Sequence, residues 1–142
     1  MTIELERTYR FSASHRYFRP EWSEEENLAR FGRCAWAPGH GHNYRLTVWI
    51  AGEIDTATGF AVDLVALDAV VRERILDVVD HRHLNDVVAP FALGGIPTSE
   101  NLASWAAERL GDALPAGCRL TRLRVAEDDD LAALWSAGEA GA

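Results

Sequence analysis

The 142-residue sequence lacks an excess of basic residues. Its 14 Lys and Arg are outnumbered by 22 Asp and Glu, which gives a formal net charge of −8. A protein that binds the nucleic-acid backbone normally carries a basic surface, so this composition argues against nucleic acid as a partner. An anionic small substrate would need a local basic pocket or a bound metal ion.

Cysteine is scarce, and long apolar runs are missing. The two cysteines, Cys34 and Cys118, do not form a C-x-x-C pair, and two thiols do not make a disulfide framework. No stretch approaches the roughly 18 apolar residues that span a bilayer, and the first residues lack the basic and then apolar pattern of a signal peptide. We therefore expect a soluble, cytoplasmic protein with no membrane partner.

The composition that remains is that of an ordinary globular protein. Hydrophobic residues make up 48% of the chain and charged residues 25%, which is enough apolar material for one domain with a core. We expect a single domain over residues 1–142, with an acidic, Ala- and Gly-rich tail of no firm structure from about Asp128.

Hydrophobic periodicity predicts an α+β fold. Strict alternation predicts strands, at 2–13, about 40–51, 60–63 and 119–127. Helical spacing predicts one helix from an N-cap at Asp63 to about Val79, and another from Thr98 or Ser99 to Gly111. A capping box at Ser23 predicts a short helix that ends at Gly32, and 86–97 is predicted to be a loop.

The order of these elements favours an antiparallel four-stranded sheet with two helices on one face. The other face of the sheet is polar and can meet water. Such a sheet leaves two unpaired edges, and closure into an oligomeric barrel would remove them.

Three of the five histidines share one strand face. His40 and His42 have the parity of the inward residues of the second strand, and His15 has the parity of Phe11 and Ala13 on the first. Three converging imidazoles suit Zn²⁺ and leave an open fourth position, as in catalytic sites. The alternative is three separate core histidines. Cys34 as a fourth, structural ligand is disfavoured because the short-spaced ligand pairs of zinc fingers are absent.

Three further segments carry polar groups that suit catalysis. Cys34 lies six residues before His40, where a cation would lower the thiol pKa, although it can equally be a plain buried cysteine. The pair Asp80 and His81 fits a proton shuttle, or simply a polar helix end. Glu127 ends the last strand with inward parity and suits a ligand with adjacent N–H donors, or an exposed strand end.

Together these segments resemble the 6-pyruvoyl-tetrahydropterin synthase family, which includes the 6-carboxytetrahydropterin synthases of the queuosine pathway. The matching segments follow the order of the chain: FSASHR from Phe11, SEEENL from Ser23, FGRC to Cys34, GHGHNY from Gly39, GEID from Gly52, DH at Asp80, LN at Leu84, PTSEN from Pro97, and Glu127. The resemblance implies a tunnelling fold whose subunits close into a barrel, usually a hexamer of two trimers, with sites between subunits.

The resemblance also implies roles for these residues. His15, His40 and His42 would hold zinc, and Cys34 would accept the proton. Asp80 and His81 would relay protons in a neighbour's site, and Glu127 would anchor the pterin with Thr98, Ser99 and Glu100 nearby. The implied substrate is 7,8-dihydroneopterin triphosphate, which would lose triphosphate to give 6-pyruvoyl-tetrahydropterin.

Alternatives remain within and beyond this family. Five residues separate Cys34 from His40, which is the pyruvoyl synthase spacing and favours that product over 6-carboxytetrahydropterin. Aldolase-like relatives usually carry Glu in place of this Cys. A non-catalytic zinc-binding assembly protein would be expected to lose Cys34, His81 or Glu127, and all three are present.

Overall fold

We describe residues 2–138 of the protein from a computed structural model. The strands are β1 Thr2–His15, β2 His40–Glu53, β3 Arg82–His83, β4 Arg119–Ala126 and β5 Ala132–Ser136. The helices are α1 Glu24–Phe31, α2 Leu64–Val71, α3 Asp77–Val79, α4 Leu84–Val87, α5 Ala89–Ala92 and α6 Ser99–Leu110. A π-helical turn, Arg72–Leu76, joins α2 to α3, and a 3₁₀ turn, Gly32–Ala35, follows α1.

The strands form one sheet in the order β3-β1-β2-β4-β5. The pair β1 and β2 is antiparallel along its whole length, from Thr2 opposite Glu53 to His15 opposite His40. Because side chains alternate along each strand, this register places His15 and His40 on the same face, at one end of the sheet.

The α+β class is confirmed, but the strand count is wrong. The predicted strand at 60–63 is irregular, with a bend at 61–62 that follows a turn at 56–58. In this segment the Asp55 amide donates to the Phe60 carbonyl and the Gly59 amide donates to the Asp55 carbonyl, so these groups do not pair with a strand. The sheet gains β3, which pairs with β1 in parallel, and β5, which pairs with β4.

The acidic tail also differs from the expectation. Asp128 turns the chain after β4, since its carboxylate accepts from the amides of Asp130 and Leu131, each at 2.8 Å. The chain then returns as β5. The three consecutive aspartates of the turn resemble a solvated acidic tail, so the sequence does not predict this hairpin.

The helices agree more closely with the sequence. Asp63 caps α2 by accepting from the Ala66 amide, and Thr98 caps α6 by accepting from the Asn101 amide. Ser23 caps α1 as predicted. The segment predicted as a loop at 86–97 instead contains α5 and the end of α4, because Pro90 is tolerated in the first turn of a helix.

The core lies between one face of the sheet and the two longer helical segments. Its buried side chains come from alternate positions of β1, β2 and β4 and from one face each of α2 and α6; they include Phe11, Tyr44, Leu46, Leu67, Ile75, Leu102, Leu110 and Leu123. No helix among residues 2–138 is long and apolar enough to cross a membrane.

Candidate active site

The three histidines expected to hold a metal converge at the end of β1 and β2. Their potential ligand nitrogens all lie within 4.8 Å of one another, and His15 Nε2 lies 3.1 Å from His40 Nε2. Two nitrogen ligands of a tetrahedral zinc ion, at about 2.0–2.1 Å each, would be about 3.3 Å apart. The residues therefore fit a zinc ion, although their role as ligands remains a prediction.

Two neighbours hold this cluster in place. Gly39 has φ +121°, and a Cβ there would meet the His15 carbonyl oxygen at 2.5 Å, so only glycine allows β2 to start this close to β1. Tyr44 Oη lies 2.9 Å from His15 Nδ1. That bond occupies the nitrogen remote from the cluster and leaves Nε2 free to face His40 and His42.

The surroundings of the cluster favour the neutral form of its three imidazoles. His15 is fully buried, and burial, together with the neighbouring His42 and His40, lowers its pKa to about 3. Burial also lowers the pKa of His40 and of His42. Metal ligation requires the neutral imidazole, so this environment keeps the three side chains in the form that binds a cation.

Glu127, the residue after β4, closes the cluster. Its residue is 7% exposed, and its Oε2 lies 3.7 Å from His42 Nε2 and 3.9 Å from His15 Nε2. Burial and Asp128 raise its pKa, while His40 acts in the opposite direction. The alternative of an exposed strand end is therefore wrong.

Three buried side-chain atoms at this site have no hydrogen-bond partner. They are His42 Nε2, Glu127 Oε2 and Ser99 Oγ, and within residues 2–138 no other buried side-chain nitrogen or oxygen is left unpaired. An unpaired buried polar atom costs about 1–3 kcal/mol, so native proteins keep few of them. Their concentration here indicates a place where a metal and a polar ligand supply the missing bonds.

Cys34 lies beside this cluster in the 3₁₀ turn after α1. Its carbonyl accepts a 2.8 Å bond from the Tyr17 amide, and Arg16 Nε donates to the next carbonyl, that of Ala35, at 2.8 Å. Burial and the Glu127 carboxylate raise the thiol pKa. This is opposite to the lowering expected from the sequence, which depends on a nearby cation.

Asp80 and His81 form a separate group at the edge of β1. Asp80 Oδ1 lies 2.9 Å from His81 Nδ1 and accepts from the Ser12 amide at 3.0 Å, and the His81 amide donates to the Ser12 carbonyl at 2.6 Å. His81 has φ +61°, which is strained for a non-glycine residue, and its side chain is 81% exposed. Such strain is often found at functional sites.

The structure thus brings together some of the predicted site residues and not others. His15, His40, His42, Glu127 and Ser99 form one cluster with Cys34 beside it. Thr98 and Glu100 lie with Ser99 at the start of α6. Asp80 and His81 are not part of this cluster: their side chains face solvent, and His81 lines a cleft that His42 also borders.

Two tyrosines were missed as site residues. Tyr44 bonds to His15, and the Tyr17 ring lies 4.8 Å from the His15 ring. Burial raises the pKa of Tyr17, and so do Glu127 and Cys34. Tyr44 shares the strand parity of His40 and His42, and this parity could have identified it as a site residue. Tyr17 lies beyond the end of β1, where alternation no longer indicates direction.

The sequence of the chain matches a known protein family. Residues 4–137 match the family described as 6-pyruvoyl tetrahydropterin synthase. The chain belongs to this family. The human 6-pyruvoyl tetrahydrobiopterin synthase is 39% identical over 127 residues, which cover 89% of this chain and 86% of the relative.

A solved structure and a further relative agree with this membership. The Caenorhabditis elegans 6-pyruvoyl tetrahydropterin synthase is 33% identical, with a TM-score of 0.86 and 97% of each chain covered. A dihydroneopterin monophosphate aldolase of Pyrococcus furiosus is 35% identical over 95 residues, or 67% of this chain and 75% of that protein. The chain is a lyase of the 6-pyruvoyl tetrahydropterin synthase type, with activity in pterin metabolism.

Proposed function

We propose that the chain is a zinc-dependent lyase that converts 7,8-dihydroneopterin triphosphate to 6-pyruvoyl-tetrahydropterin and triphosphate. The observation that carries this proposal is the set of unpaired buried atoms of His42, Glu127 and Ser99, which meet beside three neutral imidazoles and a thiol. The 39% identity to the human synthase supports the choice of reaction.

Zinc would be held by His15, His40 and His42. When bound, it supplies Lewis acidity that acidifies carbon-bound protons beside the substrate hydroxyls, and a positive field that favours the Cys34 thiolate. Tyr44 orients His15 by occupying its Nδ1. The buried surroundings of His15 keep its imidazole neutral.

Glu127 and Ser99 would hold the pterin ring. A buried carboxylate with an unpaired oxygen suits a ligand that presents adjacent N–H donors, and such bonds to a charged acceptor are strong. Ser99 offers a second unpaired oxygen, with Thr98 and Glu100 at the same helix start. This bonding would orient the side chain of the substrate toward Cys34.

Cys34 would act as the base. Its thiolate takes a proton from a side-chain carbon, the electron pair of that C–H bond forms a double bond, and the C–O bond to triphosphate breaks. Tautomerisation then completes the pyruvoyl group, so no external oxidant is consumed. The hydrogen bonds from Tyr17 and Arg16 fix the backbone of the Cys34 turn beside the histidine cluster.

Asp80 and His81 would relay protons in the site of a neighbouring subunit. The Asp80 carboxylate orients His81 Nδ1, which leaves the other ring nitrogen for a substrate. Because His81 is exposed within one chain, we propose an oligomer, most simply a hexamer, in which one subunit's histidine cluster meets another's Asp80 and His81.

Two other reactions on the same substrate would give different products. A 6-carboxytetrahydropterin product is the alternative within the family. The aldolase relative from Pyrococcus makes side-chain cleavage a further alternative, although this chain has Cys34 where such enzymes usually have Glu. Mass spectrometry of the pterin formed from 7,8-dihydroneopterin triphosphate distinguishes all three, because the pyruvoyl, carboxy and cleaved products differ in mass. A carboxy or cleaved product would overturn the proposal.

A further inference from the structure

The polar face of the sheet carries a set of arginines whose positive charge the chain only partly neutralises. Arg10 on β1 lies directly opposite Arg45 on β2. Arg124 on β4 lies opposite Thr47, two residues along β2 from Arg45 and on the same face. Like charges that face each other across two strands are destabilising unless an anion lies between them.

The three arginines differ in their partners. Arg45 pairs with Asp129 at 2.9 Å, but the Asp129 side chain is 90% exposed, so this pair is weak and easily exchanged. Within the described range 2–138, Arg10 and Arg124 make no side-chain hydrogen bond and no ion pair. By contrast, Arg122 further along β4 is neutralised by Glu4 at 2.7 Å.

The charges on this face are also segregated. Glu4 and Glu6 lie on the part of β1 remote from the site, and Glu6 is about 13 Å along the strand from Arg10. The end nearest Asp80 and His81 carries the three arginines, in a protein whose net charge is −8. The acidic side chains at this end are Asp80 and those of the 128–130 turn, of which Asp129 pairs with Arg45. The chain contains no lysine, and the planar guanidinium of arginine suits bidentate bonds to phosphate.

A cavity connects Arg10 with the proposed proton relay. It has a volume of about 410 Å³ and is lined by Arg10, Ser12, Asn43, Asp80 and His81, among others. Small-molecule sites range over about 300–1,000 Å³. The acidic group in this cavity, Asp80, is already bonded to the Ser12 amide and to His81, so its repulsion of an anion is reduced.

We propose that Arg10, with Arg45 and Arg124 beside it, holds the triphosphate chain of the substrate. This inference rests on the proposed function, since it assigns the leaving group of that reaction to these arginines. They would come from the same subunit as Asp80 and His81 and bind the polyphosphate as the C–O bond breaks, when negative charge accumulates on the leaving oxygen.

The test is titration of inorganic tripolyphosphate into the metal-loaded oligomer, followed by calorimetry. Arg10→Gln should weaken its binding by a factor on the order of 10–100, which is the usual value of a hydrogen bond to a charged group. The KM for dihydroneopterin triphosphate should rise to a similar extent. Metal content and the affinity for dihydroneopterin without phosphates should stay unchanged, because Arg10 contacts neither.

Arg122→Gln is the matched control. It removes the same charge from the same face, but Glu4 already neutralises that charge, so tripolyphosphate binding should change by less than about threefold. Tripolyphosphate also binds zinc directly, and that contribution survives in Arg10→Gln. The difference between this variant and the unmodified protein therefore isolates the arginine.

The outcomes separate this inference from the proposed reaction. If turnover is present and Arg10→Gln binds tripolyphosphate as tightly as the unmodified protein, the arginine site is wrong and the reaction stands. Equal losses in Arg10→Gln and Arg122→Gln would also overturn the site. If no triphosphate is released but Arg10→Gln alone weakens the binding, the polyphosphate site stands and the reaction is wrong.

Discussion

The two halves of the proposed site differ in how completely one chain builds them. The histidine cluster with Glu127 is buried and fixed by the β1–β2 register, by Gly39 and by Tyr44. The pair Asp80 and His81 is anchored to Ser12, but its side chains face solvent. A proton relay that works on a buried substrate cannot stay in bulk water, so the role proposed for Asp80 and His81 requires a second subunit to cover this edge.

The largest effect should come from the buried half. His42→Ala removes one of three proposed ligands, so it should abolish metal binding and reduce turnover by a factor on the order of 10³ or more. The measurement is elemental analysis of the purified protein beside a turnover assay. His83→Ala is the control, since His83 bonds to Ser14 at 2.8 Å outside the cluster. A purified protein with no divalent metal would contradict this prediction.

Cys34→Ala separates the base from the metal. The variant should fold, keep about one zinc per chain and lose turnover by a factor on the order of 10²–10⁴, the usual loss when a positioned base is removed. Cys118→Ala is the matched control, because its thiol bonds only weakly, to the Ala61 carbonyl at 3.7 Å. If Cys34→Ala loses zinc in proportion to activity, the cysteine is a ligand and its role as base is wrong.

His81→Ala tests the exposed half. It should lose turnover to a similar extent as Cys34→Ala, with metal content unchanged. When the two inactive variants are co-expressed, random assembly leaves about one site in four with both groups intact, so activity should return. A mixture that stays inactive, although the two chains co-assemble, would place both groups in one subunit's site.

The features of the fold and site that could be predicted from the sequence are those that depend on periodicity within one strand or helix. The convergence of His15, His40 and His42 follows from strand parity, and α2 and α6 follow from helical spacing and their caps. In each case, the side-chain direction is determined within the element itself.

The parts that were missed depend on contacts between distant segments. The strand β3 consists of two residues that pair with Ala13 and Ser14, and no alternation is visible over two residues. The hairpin of β5 depends on a turn at Asp128 within an acidic run. The juxtaposition of Arg10 and Arg45 requires the register of β1 against β2, which neither segment contains alone.

The smallest expected effect is on stability at mildly acid pH, measured on the metal-free protein. The pKa of His15 is about 3 in the folded chain and about 6.5 when unfolded. As pH falls below about 6.5, the unfolded chain binds a proton that the folded chain excludes, so folding is destabilised down to about pH 3. Between pH 6.5 and 4 the loss is roughly 3 kcal/mol.

Glu127 opposes this loss and provides the control. Its pKa is raised by burial, so the folded chain binds a proton at this carboxyl before the unfolded chain does, and that binding stabilises the fold as pH falls. Glu127→Gln should therefore make the acid loss steeper, whereas Cys118→Ala should leave it unchanged, because burial holds the pKa of that thiol above its ordinary value and far above this pH range. Urea unfolding at pH 7, 6, 5 and 4 measures the three slopes. A free energy of unfolding that stays flat from pH 7 to 4 in Glu127→Gln would show that His15 titrates normally, and that the cluster is not the neutral, metal-ready site described above.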